Sequence, residues 1–446
     1  MLGEARAQAI LKQVLALSGA DEAEVCLVSR DSALTRFANN VIHQNVAEAN
    51  TSVTVRVAFG KRVGVATTND VSDAGLGRAV ENAQTLARLQ PENPHFPGLP
   101  QPMSVEAINS FDEALAGVDA GWRARAVGTI CSLANSHDLV GAGALSTGVD
   151  ELAVANSHGV MAYHAATHVR LTTVVMAGSG SGYATRAGWR LGDVPVEALG
   201  QQAVDIARRA REPRSIEPGT YSVILMPYAT HDMLTMLGYV GMGAQSMQEG
   251  RSWMNERLGQ RLMSPGINIW DNGRDASGLP MPFDFEGLPK QRVEIVTAGV
   301  PQGPVYDTMT ASREPGKRST GHALPAPNTY GPFPLNLVMG AGSNSLGEMI
   351  RSIGRGLLVS RFWYTRVVHP RDCVITGMTR DGLFWIENGE IAYPVKNLRF
   401  TQGYVPALAG VESVGNELWT LDEDMGVARV PALHLREFTF TGATEF

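Results

Sequence analysis

Apolar residues first recur at helical spacing over residues 3–18, where Ile10, Leu11, Val14 and Leu17 form one stripe. From Glu22 to Ser29 the pattern changes to alternation and predicts a strand. Residues 51–68 read as a hairpin: Val53, Val55 and Val57 alternate with polar residues, Gly60-Lys61 turn the chain, and Val63 and Val65 return. Asp70 or Ser72 is placed to cap a following helix, whose stripe is Leu76, Val80, Ala83, Leu86 and Ala87 and which must stop before Pro91.

Residues 91–104 contain five prolines and mark a stiff linker, the first expected domain boundary. A second helix-and-sheet unit is expected beyond it. Trp122, Val127, Ile130 and Leu133 predict a helix near 117–135, and strands follow near 139–147, 151–156 and 160–177 around an NSHG turn at 156–159. Gly178–Gly182 reads as a flexible stretch, and a helix near 195–211 ends the unit. After Pro213, Pro218 and Gly219 the chain becomes rich in Gly and Pro and mostly β in pattern, with helical exceptions at 230–243 and 346–353. Short strands are expected at 293–298, 357–366, 373–378, 383–386 and 395–400. The fold class expected is α+β: N-terminal helix-and-sheet units at 1–90 and 105–212, then a larger β-rich C-terminal domain at 219–446. No fixed-period repeat is visible.

Composition narrows the function classes. The 446 residues exceed what one core usually organises. The net charge of −7 and the absence of a Lys/Arg run argue against nucleic acid. No stretch of 18 apolar residues argues for a membrane span. The start MLGEARAQ lacks the apolar core of a signal peptide. Cys26, Cys131 and Cys373 are odd in number and far apart, so a disulfide framework is not expected and a reducing cytoplasm is.

Individual motifs give little chemistry. His164 and His168 have a metal-ligand spacing, but on a strand they would stand roughly 13 Å apart, so plain strand residues are expected. His231-Asp232 has no second His within five residues and is read as a helix-start or surface pair. The Met226–Met254 cluster is read as adaptable packing rather than a soft-metal site. Around Ser343 and Ser345 the G-x-S-x-G spacing is not met, and a tight turn before a helix is expected. The donor-rich loop Lys317–His322 could hold a peptide carboxylate or backbone, and Glu249–Ser252 could form a site rim or a simple turn. No P-loop or dinucleotide fingerprint is present.

Several segments together resemble the TldD/PmbA peptidase family. They are the hairpin VTVRVAFGKRVGVATT at 53–68 with AVENA at 79–83, NSHGV at 156–160, QEGRSWM at 248–254, and TRDGLFWIENGEIAYPVKNLRF at 379–400. Within the last, Asn388–Asn397 resembles the family's NGxIxxPVKN run. The matches span nearly the whole chain in the family's order.

The metal-bearing branch of that family carries HExxxH on a helix and a Cys near the C-terminus, a donor set suited to zinc, a general base and an activated water. No HExxxH occurs in this sequence. Laid on this chain, the motif falls near Thr235, Met236 and Val240, and the Cys region near Gly426–Pro431 has no Cys. The resemblance therefore implies the TldE/PmbA-type subunit: no cofactor of its own, zinc in a TldD-like partner subunit, and a peptide held extended in a shared cavity. It leaves open a metal-independent enzyme that reuses the cavity, or a non-catalytic peptide-binding homo-oligomer. No catalytic residue is nominated. Arg318, His322 and Asn328 are the candidate substrate-binding residues, chosen as polar side chains in the Gly/Pro-rich segment.

Overall fold

The computed structural model describes residues 1–423 and 426–444. The first unit is α1 (Glu4–Leu17), three strands β1 (Glu22–Ala38), β2 (Val41–Phe59) and β3 (Arg62–Thr68), and α2 (Asp73–Leu89). The second repeats that order. After a single turn, α3 (Glu113–Ala116), come α4 (Ala120–Asn135), β4 (Val140–Asn156), β5 (Met161–Ala177), β6 (Gly180–Gly188) and α5 (Val196–Arg209). The two units share one antiparallel sheet in the order β3-β2-β1-β4-β5-β6, joined by the β1–β4 pairing from Glu24↔Asn156 to Phe37↔Gly143.

The repetition extends to details. Thr54 and Thr67 share a hydroxyl hydrogen bond of 3.0 Å across β2–β3, and Thr172 and Thr185 do the same at 3.0 Å across β5–β6. Gly64 lies directly under the backbone of α2 at Ala83 and Ala87, and Gly182 lies under α5 at Ala203 and Ala207. A side chain at either glycine would collide with helix backbone, so both glycines set how closely a helix can cover its hairpin. No fixed period marks this duplication in the sequence: the repeat lies in topology and in a few contact residues. The GSGSG segment is corrected too. Only 178–179 turn; Gly180 and Gly182 belong to a strand.

Other expectations hold. Ser72 caps α2, its hydroxyl accepting from Gly75 N at 3.2 Å. Ile10, Leu11 and Val14 are buried against Val25, Val55 and Leu76. Leu86 is 42% exposed, so the α2 stripe runs through Ala83 and Ala87 instead. The strands are longer than the sequence suggested, because polar residues continue them beyond the apolar runs: β1 extends past Ser29 and β2 begins before Thr51, and β1 stays paired with both β2 and β4 over that extension.

The remaining chain builds two sheets around one helix. The first strand, β7 (Thr220–Leu225), leads into α6 (Pro227–Gly241) and α7 (Ala244–Gln248). Then come β8 (Ile269–Asp271), β9 (Val293–Thr297), β10 (Val300–Pro301), α8 (Thr308–Ser312), β11 (Leu337–Met339) and α9 (Leu346–Ser352). The C-terminal strands are β12 (Arg355–His369), β13 (Val374–Glu387), β14 (Glu390–Val395) and β15 (Leu398–Gly403). After α10 (Tyr404–Ala409) follow β16 (Val411–Val414), β17 (Trp419–Glu423), β18 (Gly426–Val430) and β19 (Leu433–Ala443).

Strands β12, β7, β19, β15 and β13 pair in a ring closed by β12–β13, while β10-β9-β8-β11-β18-β17 form an open sheet. Every residue of α6 except Asp232 and Tyr239 is buried between them. The methionines Met233, Met236, Met242 and Met254 are core residues, as the packing reading expected. The α+β class holds. Among the described residues no helix is long and apolar enough to cross a membrane.

Two of the recognised motifs have clear structural work. In QEGRSWM, the Ser252 hydroxyl donates to Gly241 O at 2.6 Å and the Trp253 indole donates to Leu237 O at 3.0 Å. The first satisfies a carbonyl that the last turn of α6 would otherwise leave open, and the second ties the indole to the same end of the helix. In NGEIAYPVKN, Asn388 (φ 54°) and Gly389 (φ 78°) both take the left-handed conformation needed to turn β13 into β14.

Candidate functional site

A cleft of about 330 Å³ opens beside the N-terminal half of α6. Tyr228, His231, Asp232, Thr235 and Met236 form its helix wall, β12 supplies Arg361 to Arg366, and Glu423 lies at one edge. His231 and Asp232, read as a helix-start or surface pair, lie in the N-terminal half of α6 but not at the surface. His231 is 3% exposed and its Nε2 lies 3.0 Å from Gly426 O. A carbonyl only accepts, so Nε2 carries the proton. Burial also pushes the His231 pKa down, favouring neutral imidazole.

Asp232 points into the same cleft. Its Oδ2 accepts from the Thr365 hydroxyl at 2.6 Å and its Oδ1 accepts from the Tyr404 hydroxyl at 2.8 Å. Burial raises its pKa to about 6 despite those two bonds. A carboxyl whose folded pKa lies above its unfolded value binds its proton more tightly when folded. Its favourable contribution is complete below about pH 4 and is lost as pH rises through about 6. Asp232→Asn is therefore expected to remove about 2–3 kcal/mol of the pH dependence of stability between those limits, read from urea unfolding at pH 4 and pH 7.5.

The β12 wall is fixed by charge and by a bulge. Arg361 donates from Nε to Asp381 Oδ2 at 2.6 Å, and the Ser181 hydroxyl donates to Asp381 Oδ1 at 2.6 Å. This ties the cleft wall to β6. The Arg361 guanidinium also lies over the Tyr183 ring at 4.0 Å, and Tyr183 OH donates to Glu423 at 3.0 Å. The register of β12 against β13 slips between Trp363 and Arg366. Tyr364 sits there at φ 56°, 67% exposed, with Trp363 beside it at 42%. A bulge re-aims side chains out of the ladder, and a bulky residue at positive φ is uncommon enough to need a reason. Here it presents two aromatic rings at the mouth of the cleft.

The sequence-based candidates fall elsewhere. Arg318 is exposed on its loop. His322 is 1% exposed, its Nε2 2.9 Å from Asp271 and its Nδ1 2.9 Å from the Thr320 hydroxyl, in a buried cluster with Lys290 and Asn336. Asn328 closes a turn by donating to Gly331 O at 2.9 Å. None of the three lines the α6 cleft. They were chosen for polarity within a loop-rich segment, but that segment spends its polar groups on holding itself together. Glu249 and Arg251 form an ion pair across the Gly250 turn, the structural reading.

Of the positions placed under the vacated motif, Thr235 and Met236 line the cleft and Val240 is core. The i, i+1, i+5 spacing of HExxxH also fits His231, Asp232 and Met236, one turn upstream, and all three line the cleft. That register was available in the sequence as HDMLTM and was missed because Asp and Met stand where Glu and His were sought.

Zinc does not fit these residues. With Nε2–H on Gly426 O, His231 could offer only Nδ1, both oxygens of Asp232 are taken by hydroxyls, and Met236 offers a thioether, a soft ligand better suited to other metals, so the zinc donor set is incomplete. Among the described residues no three His, Cys, Asp or Glu side chains come together as a metal site.

Comparisons with known proteins match the whole architecture. Models of the PmbA/TldA metallopeptidase domain 1, central domain and C-terminal domain match residues 23–87, 99–211 and 218–442. The metalloprotease PmbA of Escherichia coli O157:H7 is 25% identical over 394 residues, covering 82% of this chain and 81% of that protein. A metalloprotease TldD homolog of Haemophilus influenzae is 22% identical over 439 residues, covering 91% and 89%. The crystal structure of TldE from Thermococcus kodakarensis superposes with a TM-score of 0.88 at 20% identity, covering 98% of this chain and 99% of that one. With all three domain models matched in order, the chain belongs to the PmbA/TldD metallopeptidase family and has a peptidase-family role.

Proposed function

We propose that this chain is the metal-free subunit of a TldD/TldE-like zinc peptidase of the cytoplasm, shaping a cavity that holds small or unfolded peptides extended while a zinc-bearing partner cleaves them. The observation that carries the reading is the meeting of α6 with β18. The helix that would bear the metal motif and the strand where the family's Cys would fall are joined by the His231–Gly426 bond, and both Asp232 oxygens accept from hydroxyls. Peptide contact is assigned to the cleft, where Trp363 and Tyr364 offer sequence-tolerant apolar surface and Glu423 and Arg366 offer polar ends.

The test is a mixture. Alone, the chain is expected to hydrolyse no peptide. With a relative that carries HExxxH it is expected to form a complex that cleaves an unfolded peptide and is stopped by chelator. No change in the relative's cleavage on adding this chain would sink the reading. In that complex, Trp363→Ala with Tyr364→Ala is expected to raise KM about tenfold with little change in kcat, because the rings contribute binding rather than chemistry.

A metal-independent enzyme is favoured by one observation, the Asp232 carboxyl with a pKa near neutrality in an open cleft. Its signature is turnover by the isolated chain that chelator leaves intact and Asp232→Asn abolishes.

A further inference from the structure

A second cleft, of about 320 Å³, lies on the face of the N-terminal sheet turned away from its helices. Its floor is three rows of directly paired residues: Val28, Leu152 and His164; then Arg30, Asp150 and Ala166; then Gly148 and His168. The last two rows carry Ala and Gly, so the floor is hollow where they stand. A Cβ on Gly148 would come within 2.6 Å of the His168 ring, so the glycine leaves room for the imidazole to lie across the strand. The roof is the loop of Pro280, Met281 and Phe285, pinned by the Trp189 indole, which donates to Ala276 O at 2.8 Å.

The polar atoms of this cleft are incompletely used. Asp150 Oδ1 and His168 Nδ1 are both shielded from solvent and have no hydrogen-bond partner. Arg30 Nε stands 3.5 Å from Asp150, and His168 Nδ1 stands 3.1 Å from its other oxygen, close in charge but misaligned for bonding. Native proteins rarely leave such atoms open without a use. His164, by contrast, is satisfied by the Ser110 hydroxyl at 2.8 Å, and burial lowers its pKa to about 4, so it adds a neutral edge. Glu151 at the rim is taken up by Leu2 N, Gly3 N and Tyr163 OH. The acceptor this cleft offers a ligand is therefore the carboxylate of Asp150, 45% exposed, with Arg30 and His168 beside it.

We propose that this cleft binds an apolar primary amine, with the ammonium on Asp150 and the apolar group between Leu152 and the Met281–Phe285 roof. Its volume is at the small end of ligand cavities, about 300–1,000 Å³, and suits one residue-sized group. Two sources share that chemistry: a free amino-acid-like amine and the first residue of an apolar peptide. The inference does not rest on the peptidase-subunit reading, because no residue of the floor or roof belongs to the α6 cleft.

The test is calorimetric titration of the full chain with phenylalaninamide and with the tripeptide Phe-Ala-Ala-amide. Saturable binding of either is expected, and which of the two binds identifies the source. N-acetyl-phenylalaninamide, and phenylalaninamide on the Asp150→Asn variant, are each expected to bind about tenfold more weakly or worse. Ala166→Leu, which fills the floor, is expected to abolish binding. As a readout independent of variant folding, the imidazole NMR signals of His168 in the unaltered chain are expected to shift on titration. Absence of saturable binding to both amines, equal binding of the acetylated compound, or undiminished binding by folded Ala166→Leu would each overturn the assignment.

Discussion

Arg56→Ala is expected to destabilise the fold by about 3–5 kcal/mol, the cost of leaving buried charge unpaired. Arg56 on β2 donates to Glu24 on β1 at 2.7 Å and lies 3.4 Å from Glu286 in the C-terminal region. Both carboxylate side chains are less than 10% exposed. One guanidinium thus holds two acids from different parts of the chain, and it is the charge link between the shared sheet and the loop beneath it. Removing it leaves both acids to burial, which already pushes the Glu24 pKa up. The sign with pH follows. A carboxyl with a raised folded pKa opposes folding once pH exceeds that pKa, so the loss is largest at neutral pH and shrinks as the acids protonate. Urea unfolding at pH 7 and pH 4.5 measures both the loss and its pH dependence. Combining Arg56→Met with Glu24→Gln and Glu286→Gln is expected to recover much of the stability, because no unpaired charge remains.

Trp253→Ala is the second large effect, also about 3–5 kcal/mol. The indole is fully buried, lies against Gly241 where no side chain would fit, and bonds the Leu237 carbonyl. Its loss opens a cavity and releases the end of α6. Chemical unfolding of the isolated chain reads the destabilisation. The same helix carries His231, Asp232 and Met236, so the variant is also expected to lose peptide cleavage in complex with a zinc-bearing relative. Gly241→Ala is expected to destabilise the native chain but to cost less when Trp253 is already Ala, because the two sites share one contact.

How much of this was legible follows from which signals are local. The first helix, the 53–68 hairpin and the Ser72 cap were readable because period, turn residues and capping chemistry lie within a few positions of one another. The Ser345–Glu348 capping box explains GAGSNSLGE as a helix start, as its turn residues suggested. The duplication of the two N-terminal units was not readable, because it is carried by Gly64 and Gly182 and by two threonine pairs at matching places in the fold. The site was half legible. Thr235 and Met236 were reached through the family motif, but Asp232 was read as a helix-start or surface residue because its partners, Thr365 and Tyr404, lie far along the chain. His322 failed for the opposite reason: polar loop residues looked available, and the fold buries this one against Asp271. His164 and His168 were rightly read as strand residues, and only the roof loop reveals that they face one cleft.

In the proposed role this chain carries no zinc and serves a partner that does. Elemental analysis of zinc per chain, on the protein purified alone without chelator, tests it most directly. A ratio near zero is expected, with chelator-sensitive peptide cleavage arising only when a relative bearing HExxxH is added. A ratio of about one zinc per chain would contradict it, and would mean that the α6 cleft rearranges to free His231 and Asp232 as ligands.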